Sequence, residues 1–383
     1  MGAGFPCARL LFEQPGSGDQ RNNVMWKSNW EDAKQHLIDW WNHDGLVLGM
    51  WGAPPCDATP HEESLAPPNP KSIRDGYVDG ELRAQRNHHA LAHQSFPADV
   101  LPISDTDIGP GSLALFLGSR PGFSPATVWF EPLIHDCDKP ENLAPFQFDE
   151  SNEWWQVTET TLKACAERAR GKYLVGCPDL VENVDILAAL RDAQTLLVDM
   201  IERPEWVERK VAEINQVWFE VYQRIYEIIR LPDGSSAFGA FRIWGPGKTA
   251  KVQCDACAMF SPAMFRRFVV PSLTKQCQWL DNVMYHLDGT QAMCHLDALL
   301  EIEGLDAIEW TPQAGIEGGG NPRWFEMYKR ILRAGKSIQV VGVNRHEIQP
   351  LLDTVGGKGV YVMTCFSSPG EAEDIMNMVE PYR

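Results

Sequence analysis

No stretch of the 383-residue chain approaches the roughly 20 apolar residues that a membrane-spanning helix needs. The longest apolar runs, such as residues 46–50, are far shorter, so no membrane partner is expected. Basic residues are also scarce, with 34 Lys and Arg against 52 Asp and Glu and a formal net charge of −18. A nucleic-acid binder needs a basic face to displace counterions from phosphates, so nucleic acid is not expected either. The first residues, MGAGFPCARLLFEQPG, lack the charged segment and apolar run of a secretory leader, and Pro6 stands where myristoylation needs Ser or Thr. The ten cysteines are scattered along the chain and make no short disulfide framework, which fits free thiols in a reducing cytoplasm. No short repeat recurs. Neither Gly245-Pro246-Gly247 nor Gly318-Gly319-Gly320 matches a phosphate-binding loop or a dinucleotide fingerprint, so both are expected to be mouth loops, the second a candidate lid.

The composition that remains, 44% hydrophobic and 22% charged, is that of a globular chain long enough to bury a large core. Short apolar runs recur at LVLGMWG (46–52), KYLVGCPD (172–179), FRIWGPG (241–247), KVQCDAC (251–257), VMYHLDG (283–289), LDAIEWTP (305–312), SIQVVGVN (337–344) and GVYVMTC (359–365), each bounded by turn or polar residues. Amphipathic segments separate them. In residues 183–230, Pro204 marks the end of one helix and the start of the next. Ser261 caps a helix with Pro262 at its first position, and Gly304 and Gly335 close two more. Strand and helix alternating at this spacing predict an α/β fold with a parallel sheet. Several strands end on polar residues, which favours a (β/α)8 TIM barrel over an open sheet. Residues 52–160 are rich in proline and loop-like sequence and are expected to be an insertion over one face of a single domain spanning 1–383, with a small separate domain as the alternative.

The chemistry concentrates at strand ends. In VMYHLDG, His286 and Asp288 are two apart on a strand and face the same side, which in a barrel is the catalytic mouth. Glu309 and Asn344 end their strands in the same manner, and Cys365 ends the last. A His, an Asp and a Cys can hold Zn2+ with one open position, the pattern of a catalytic ion. The competing reading is a polar mouth hydrogen-bonded within itself, with Cys365 a small core residue.

The order of motifs resembles the uroporphyrinogen decarboxylase superfamily. The S-P-x-x-F-x-x-F-x-x-P helix stands as SPAMFRRFVVP (261–271), the H-x-C-G strand end as His286-Leu287-Asp288-Gly289, and the following G-x-D as Gly304-Leu305-Asp306. A strand-Cys, Pro and helix close the pattern at Cys365 to Val379, and residues 185–207 fit the family's central helices. The resemblance covers 170–383 well and 25–170 loosely. In the corrinoid-dependent methyltransferase branch the equivalent residues bind zinc, which implies His286, Asp288 and Cys365 as metal ligands. It also implies a small methylated substrate and a cobalamin carried by a partner protein, since no D-x-H-x-x-G corrinoid motif occurs here. Asp288 replaces a cysteine of the pattern, making the site harder and better suited to an oxygen than to a thiol. The decarboxylase branch carries an N-terminal R-Q-A-G-R motif that grips carboxylates, whereas the first 50 residues here hold only Arg9 and Arg21.

Asp255 lies in Cys254-Asp255-Ala256-Cys257, where the family tends to carry acidic residues before the S-P helix, and is expected to be a pocket residue. The flanking cysteines are redox-active, half a zinc site, or buried loop residues. His346 near the mouth is an acid/base candidate beside His286, Asp255 and Glu309, with a surface helix start as its alternative. Trp244 and Asn344 are expected to line a cofactor, and Trp51, Trp129 and Trp310 are further candidates for aromatic walls. Three functions follow: methyl transfer to or from a corrinoid, a metal-free carboxy-lyase using Asp255 and His286, and a silent small-molecule-binding barrel. A homodimer is compatible with each.

Overall fold

The computed structural model describes residues 26–51, 60–125 and 127–383. Its twelve strands are β1 (Leu46–Gly49), β2 (Ile103–Ser104), β3 (Arg120–Phe123), β4 (Val128–Glu131), β5 (Leu174–Cys177), β6 (Ser236–Phe238), β7 (Ile243–Gly245), β8 (Thr249–Gln253), β9 (Asn282–Asp288), β10 (Ala307–Thr311), β11 (Ser337–Val340) and β12 (Val360–Met363). A six-stranded sheet runs β1-β12-β11-β10-β9-β8, parallel throughout. A four-stranded sheet runs β2-β5-β6-β7, with only β6 and β7 antiparallel. The remaining pair, β3 and β4, is an antiparallel hairpin.

The strands are apolar for a physical reason. In β1, β5, β11 and β12 every residue is buried, as parallel strands covered on both faces require. Helices fill the intervals as expected. Residues 183–230 form three helices, Asn183–Arg191, Ala193–Glu202 and Pro204–Ile229, and Pro204 starts the last where its missing N–H costs nothing. The Ser261 hydroxyl accepts the Met264 N–H at 3.2 Å, capping the helix Pro262–Phe268. Gly304 and Gly335 take the left-handed conformation at their predicted helix ends. No helix among the described residues is long and apolar enough to cross a membrane.

Two differences from the sequence expectation stand out. Of the expected insertion 52–160, residues 52–59 lie outside the described residues, and the rest holds more than loops: it contributes the helix Gly80–Ala92, the start of the helix Glu153–Ala169, and strand β2, which pairs with β5. Two residues of strand carry no apolar periodicity, so β2 had no signal. The run at 241–247 is the return arm of a β6–β7 hairpin rather than a parallel strand.

Side chains join the two sheets. Between β1 and the residues before β2, the Asp99 N–H donates to the Leu48 carbonyl at 2.9 Å and the Asp99 carboxylate accepts the Leu48 N–H at 2.8 Å. On the other flank, the Thr249 N–H donates to the Ser236 hydroxyl at 3.1 Å. The helix Trp30–Trp41 packs where the strands begin: Trp40 donates to the Ile338 carbonyl at 3.3 Å and Trp41 to the Trp244 carbonyl at 2.9 Å. The opposite ends, where β8, β9 and β10 finish, stay accessible.

Asp99 is fully buried and also bonds His36 at 2.7 Å and Arg383 at 2.8 Å. Removing it leaves a buried N–H and a guanidinium without their partner. Asp99→Ala is therefore expected to lower the unfolding free energy by about 3–5 kcal/mol, with Asp99→Asn losing less because its amide oxygen still accepts from Leu48. Urea unfolding midpoints check this, and an unchanged Asp99→Ala midpoint would remove Asp99 as the seam between the sheets.

Candidate metal centre

Parallel register places the chemistry at one level of the sheet. Gln253 pairs with His286 across β8 and β9, and His286 pairs with Glu309 across β9 and β10. One pleat further on, Asp288 pairs with Thr311. His286 and Asp288 share a face by strand alternation. Just beyond β8 the backbone turns into a short 3-10 helix, Asp255–Met259, and Asp255 at its start comes back over the same space. One ligand atom from each of Asp255, His286 and Asp288 lies within 4.8 Å of the others.

Two of the three members, His286 and Asp255, have a support. Glu309 is fully buried, and its carboxylate bonds His286 Nδ1 while accepting the Thr311 hydroxyl at 2.6 Å. That bond leaves His286 Nε2 for a ligand, the carboxylate–imidazole arrangement that orients metal-binding histidines. Burial disfavours the imidazolium, but the Glu309 charge and hydrogen bond outweigh it and hold the His286 pKa above the ordinary value. Asp255 accepts the Gln253 side-chain N–H at 2.8 Å. Its backbone N–H and that of Ala256 both donate to the Asp185 carboxylate, at 2.8 and 2.9 Å. The Phe241 ring stands 4.8 Å from the His286 ring and forms an apolar wall.

Behind the cluster lies a buried charge network. Lys251 is fully buried, with both Asp179 oxygens at 2.8 Å and the Gln253 side-chain carbonyl also accepting from it. Glu182 accepts the Gln253 backbone N–H at 2.8 Å. Burial lowers the affinity of Lys251 for its proton, but Asp179 and Glu182 overcome this and its pKa rises. Burial pushes Glu182 and Asp107 well above the carboxylate range and raises Asp185 as well. Asp255, pressed by burial and then by the Asp185 charge, is pushed up to about 6.

The other sequence candidates lie apart from this group. Cys365 is exposed in a groove of about 390 Å3, lined also by Trp51, Asn344, Arg345 and Phe366. Asn344 caps the helix Arg345–Val355 in a reciprocal box with Glu347, and His346 is exposed in the first turn of that helix. Trp244 is buried against Trp30 at the end where the strands begin, far from a mouth position, because β7 runs antiparallel to its neighbours. Trp310 is buried, whereas Trp51 is partly exposed and stacks edge-on against Phe241 at 5.5 Å. Sequence reading missed Gln253, Lys251, Asp179, Glu182 and Asp185. The acidic run from Asp179 to Asp185 after β5 was the available signal.

No protein-family model matches the chain. No curated protein matches it in sequence. Among solved structures, a methyltransferase from Methanosarcina mazei is similar with a TM-score of 0.58 and 12% identity, covering 90% of this chain and 97% of that one. At this identity the likeness is one of fold. A B12-independent methionine synthase from Shewanella sp. W3-18-1, in complex with selenomethionine, aligns with a TM-score of 0.47 and 10% identity over 88% of this chain and 98% of that one.

A carboxyl raised from 3.8 to about 6 destabilises the folded, metal-free protein once it ionises. The stability it contributes is fully present below 3.8 and is lost as the pH rises through about 6. Asp255→Asn abolishes that loss while keeping an oxygen for the Gln253 N–H. The metal-free variant is therefore expected to be more stable than the parent at pH 7, and the gap should close near pH 4. Urea midpoints across that range check it; a variant less stable at neutral pH would mark Asp255 as structural.

Proposed function

We propose that the two sheets, joined at Asp99 and Ser236, form one (β/α)8-type barrel of the uroporphyrinogen decarboxylase superfamily, and that the chain is a metal-assisted methyltransferase. In this reading it moves a methyl group between a small methylated substrate and a corrinoid held on a partner protein. The observation that carries the reading is the convergence of Asp255, His286 and Asp288 at the strand ends, with Glu309 behind His286. The fold likeness to a methyltransferase supports it. The corrinoid partner rests on the motif resemblance of residues 261–306 and 365–379.

The residues fit a divalent ion. Two carboxylates and an imidazole are a donor set for zinc, and their hardness suits activation of an oxygen. Bound there, zinc would supply Lewis acidity to the atom bearing the methyl group. The chain does the rest. Glu309 fixes the His286 tautomer so that Nε2 faces the site, and Gln253 holds one Asp255 oxygen so that the other is presented. Phe241 and Trp51 give the methyl-bearing part of the substrate an apolar, aromatic surface. Cys365, in the groove beside Trp51, lines the substrate side. A polycarboxylate fits poorly, because Asp255 and Asp288 line the mouth and Asp185 stands behind them.

The full chain loaded with Zn2+ and desalted is expected to keep one ion, measured by inductively coupled plasma mass spectrometry. His286→Ala and Asp288→Asn should lose it. Glu309→Gln should keep it with affinity about 10–100-fold weaker. Cys365→Ala should retain it; loss in that variant would restore the thiolate ligand expected from the sequence. Equal zinc content in all four variants would overturn the centre. Methylation of free cob(I)alamin from a panel of methylated amines, ethers and thiols tests the reaction, and turnover unaffected by His286→Ala would sink it.

A further inference from the structure

The Cys254-Asp255-Ala256-Cys257 turn has a second pair of groups that the proposed chemistry leaves unused. Both cysteines are free and buried. The Cys257 N–H reaches the Cys254 carbonyl at 3.3 Å, so the backbone already bends back between them. The two residues inside that bend are Asp255 and Ala256, and their N–H groups are clamped on Asp185. Below the turn, the His295 Nε2–H donates to the Cys257 carbonyl at 2.9 Å and the His295 ring stacks on Phe265 at 4.4 Å, which backs the Cys257 end. A turn closed by the N–H of its fourth residue on the carbonyl of its first brings those two Cα atoms within about 7 Å, close to the roughly 4.4–6.8 Å that a disulfide spans, so the two sulfurs need little backbone movement to bond.

We infer that Cys254 and Cys257 form a reversible disulfide that closes around Asp255 and weakens metal binding at the strand ends. The inference rests on the metal reading above for its effect, and on the turn alone for the bond. A hydroperoxide is the oxidant. One cysteine sulfur attacks the peroxide, forming S–O as O–O breaks, and the distal oxygen leaves as water or alcohol with a thiol proton. The second sulfur then attacks the first, S–S forms, S–O breaks, and the second oxygen leaves as water with the other proton. Two electrons pass from the sulfur pair to the peroxide, and a dithiol returns them. The ring so formed contains the Asp255 backbone and takes over its dihedral angles from the Asp185 clamp. Asp255 then no longer meets His286 and Asp288 at ligand distance.

The test uses the full chain carrying Cys294→Ser and Cys365→Ser, which removes the two exposed described thiols. After hydrogen peroxide treatment, peptide mass mapping is expected to show residues 254 and 257 cross-linked, lighter by two hydrogens, and restored by dithiothreitol. Zinc affinity, read by competition with a chromophoric chelator, should fall about tenfold or more on oxidation and recover on reduction. The same background with Cys254→Ser should show neither change. Sulfinic or sulfonic acid on either cysteine without a cross-link would overturn the inference, as would a cross-linked protein with unchanged zinc affinity. If the reduced protein binds no zinc, the metal reading has failed, and the mass map alone decides the disulfide.

Discussion

One ammonium group in the interior sets the terms for the rest of the molecule. Lys251 is fully buried in the middle of β8, and a charge there is tolerable only with partners in contact. Asp179 supplies both oxygens. That pair fixes the loop after β5 against β8, and the chain continues through Glu182 into Asp185 in the first turn of the helix Asn183–Arg191; these two hold the backbone of Gln253, Asp255 and Ala256. Gln253 faces both ways, its carbonyl toward Lys251 and its amide toward Asp255. The position of one candidate ligand is thus referred back, through an amide, to a lysine in the core.

This arrangement concentrates more negative charge than it neutralises. Asp179, Glu182, Asp185 and Asp255 gather around one lysine, and burial raises the pKa of the last three. A fold selected only for stability would replace some of them with apolar groups. Here they are kept, Glu182 and Asp185 held in place by hydrogen bonds to the backbone of Gln253, Asp255 and Ala256. Glu309 belongs to the same logic: it is fully buried, and among the described residues its ion-pair partner is His286.

Legibility in the sequence followed the range of the interactions. Strands β9, β10, β11 and β12 were evident as largely apolar runs, because most of their positions are buried. The pairing of His286 with Asp288 was evident because it needs only the two-residue strand period. Glu309 was found at a strand end, but its contact with His286 required the register of β10 on β9, which no local pattern carries. Asp255 was picked out as a pocket residue, yet its meeting with His286 and Asp288 depends on a turn clamped by Asp185, about 70 residues upstream. Trp244 was expected near the mouth because its run looks like the others. The hairpin that reverses it is set by pairing with β6, a three-residue strand with no periodicity to detect.

The strand order has a consequence for the order of synthesis. β1 pairs with β12, so Leu46 finds its neighbour at Val360. A ribosome making this chain produces this all-apolar strand some 314 residues (Leu46 to Val360) before its partner. During that interval one edge of β1 has no ladder, and an unpaired apolar edge invites association with other chains. Of the two flanks of β1, only that beside Asp99 can be occupied soon after it emerges, by the Leu48 backbone bonds. The Asp99 bonds to Leu48 span only 51 residues of chain, far fewer than separate β1 from β12.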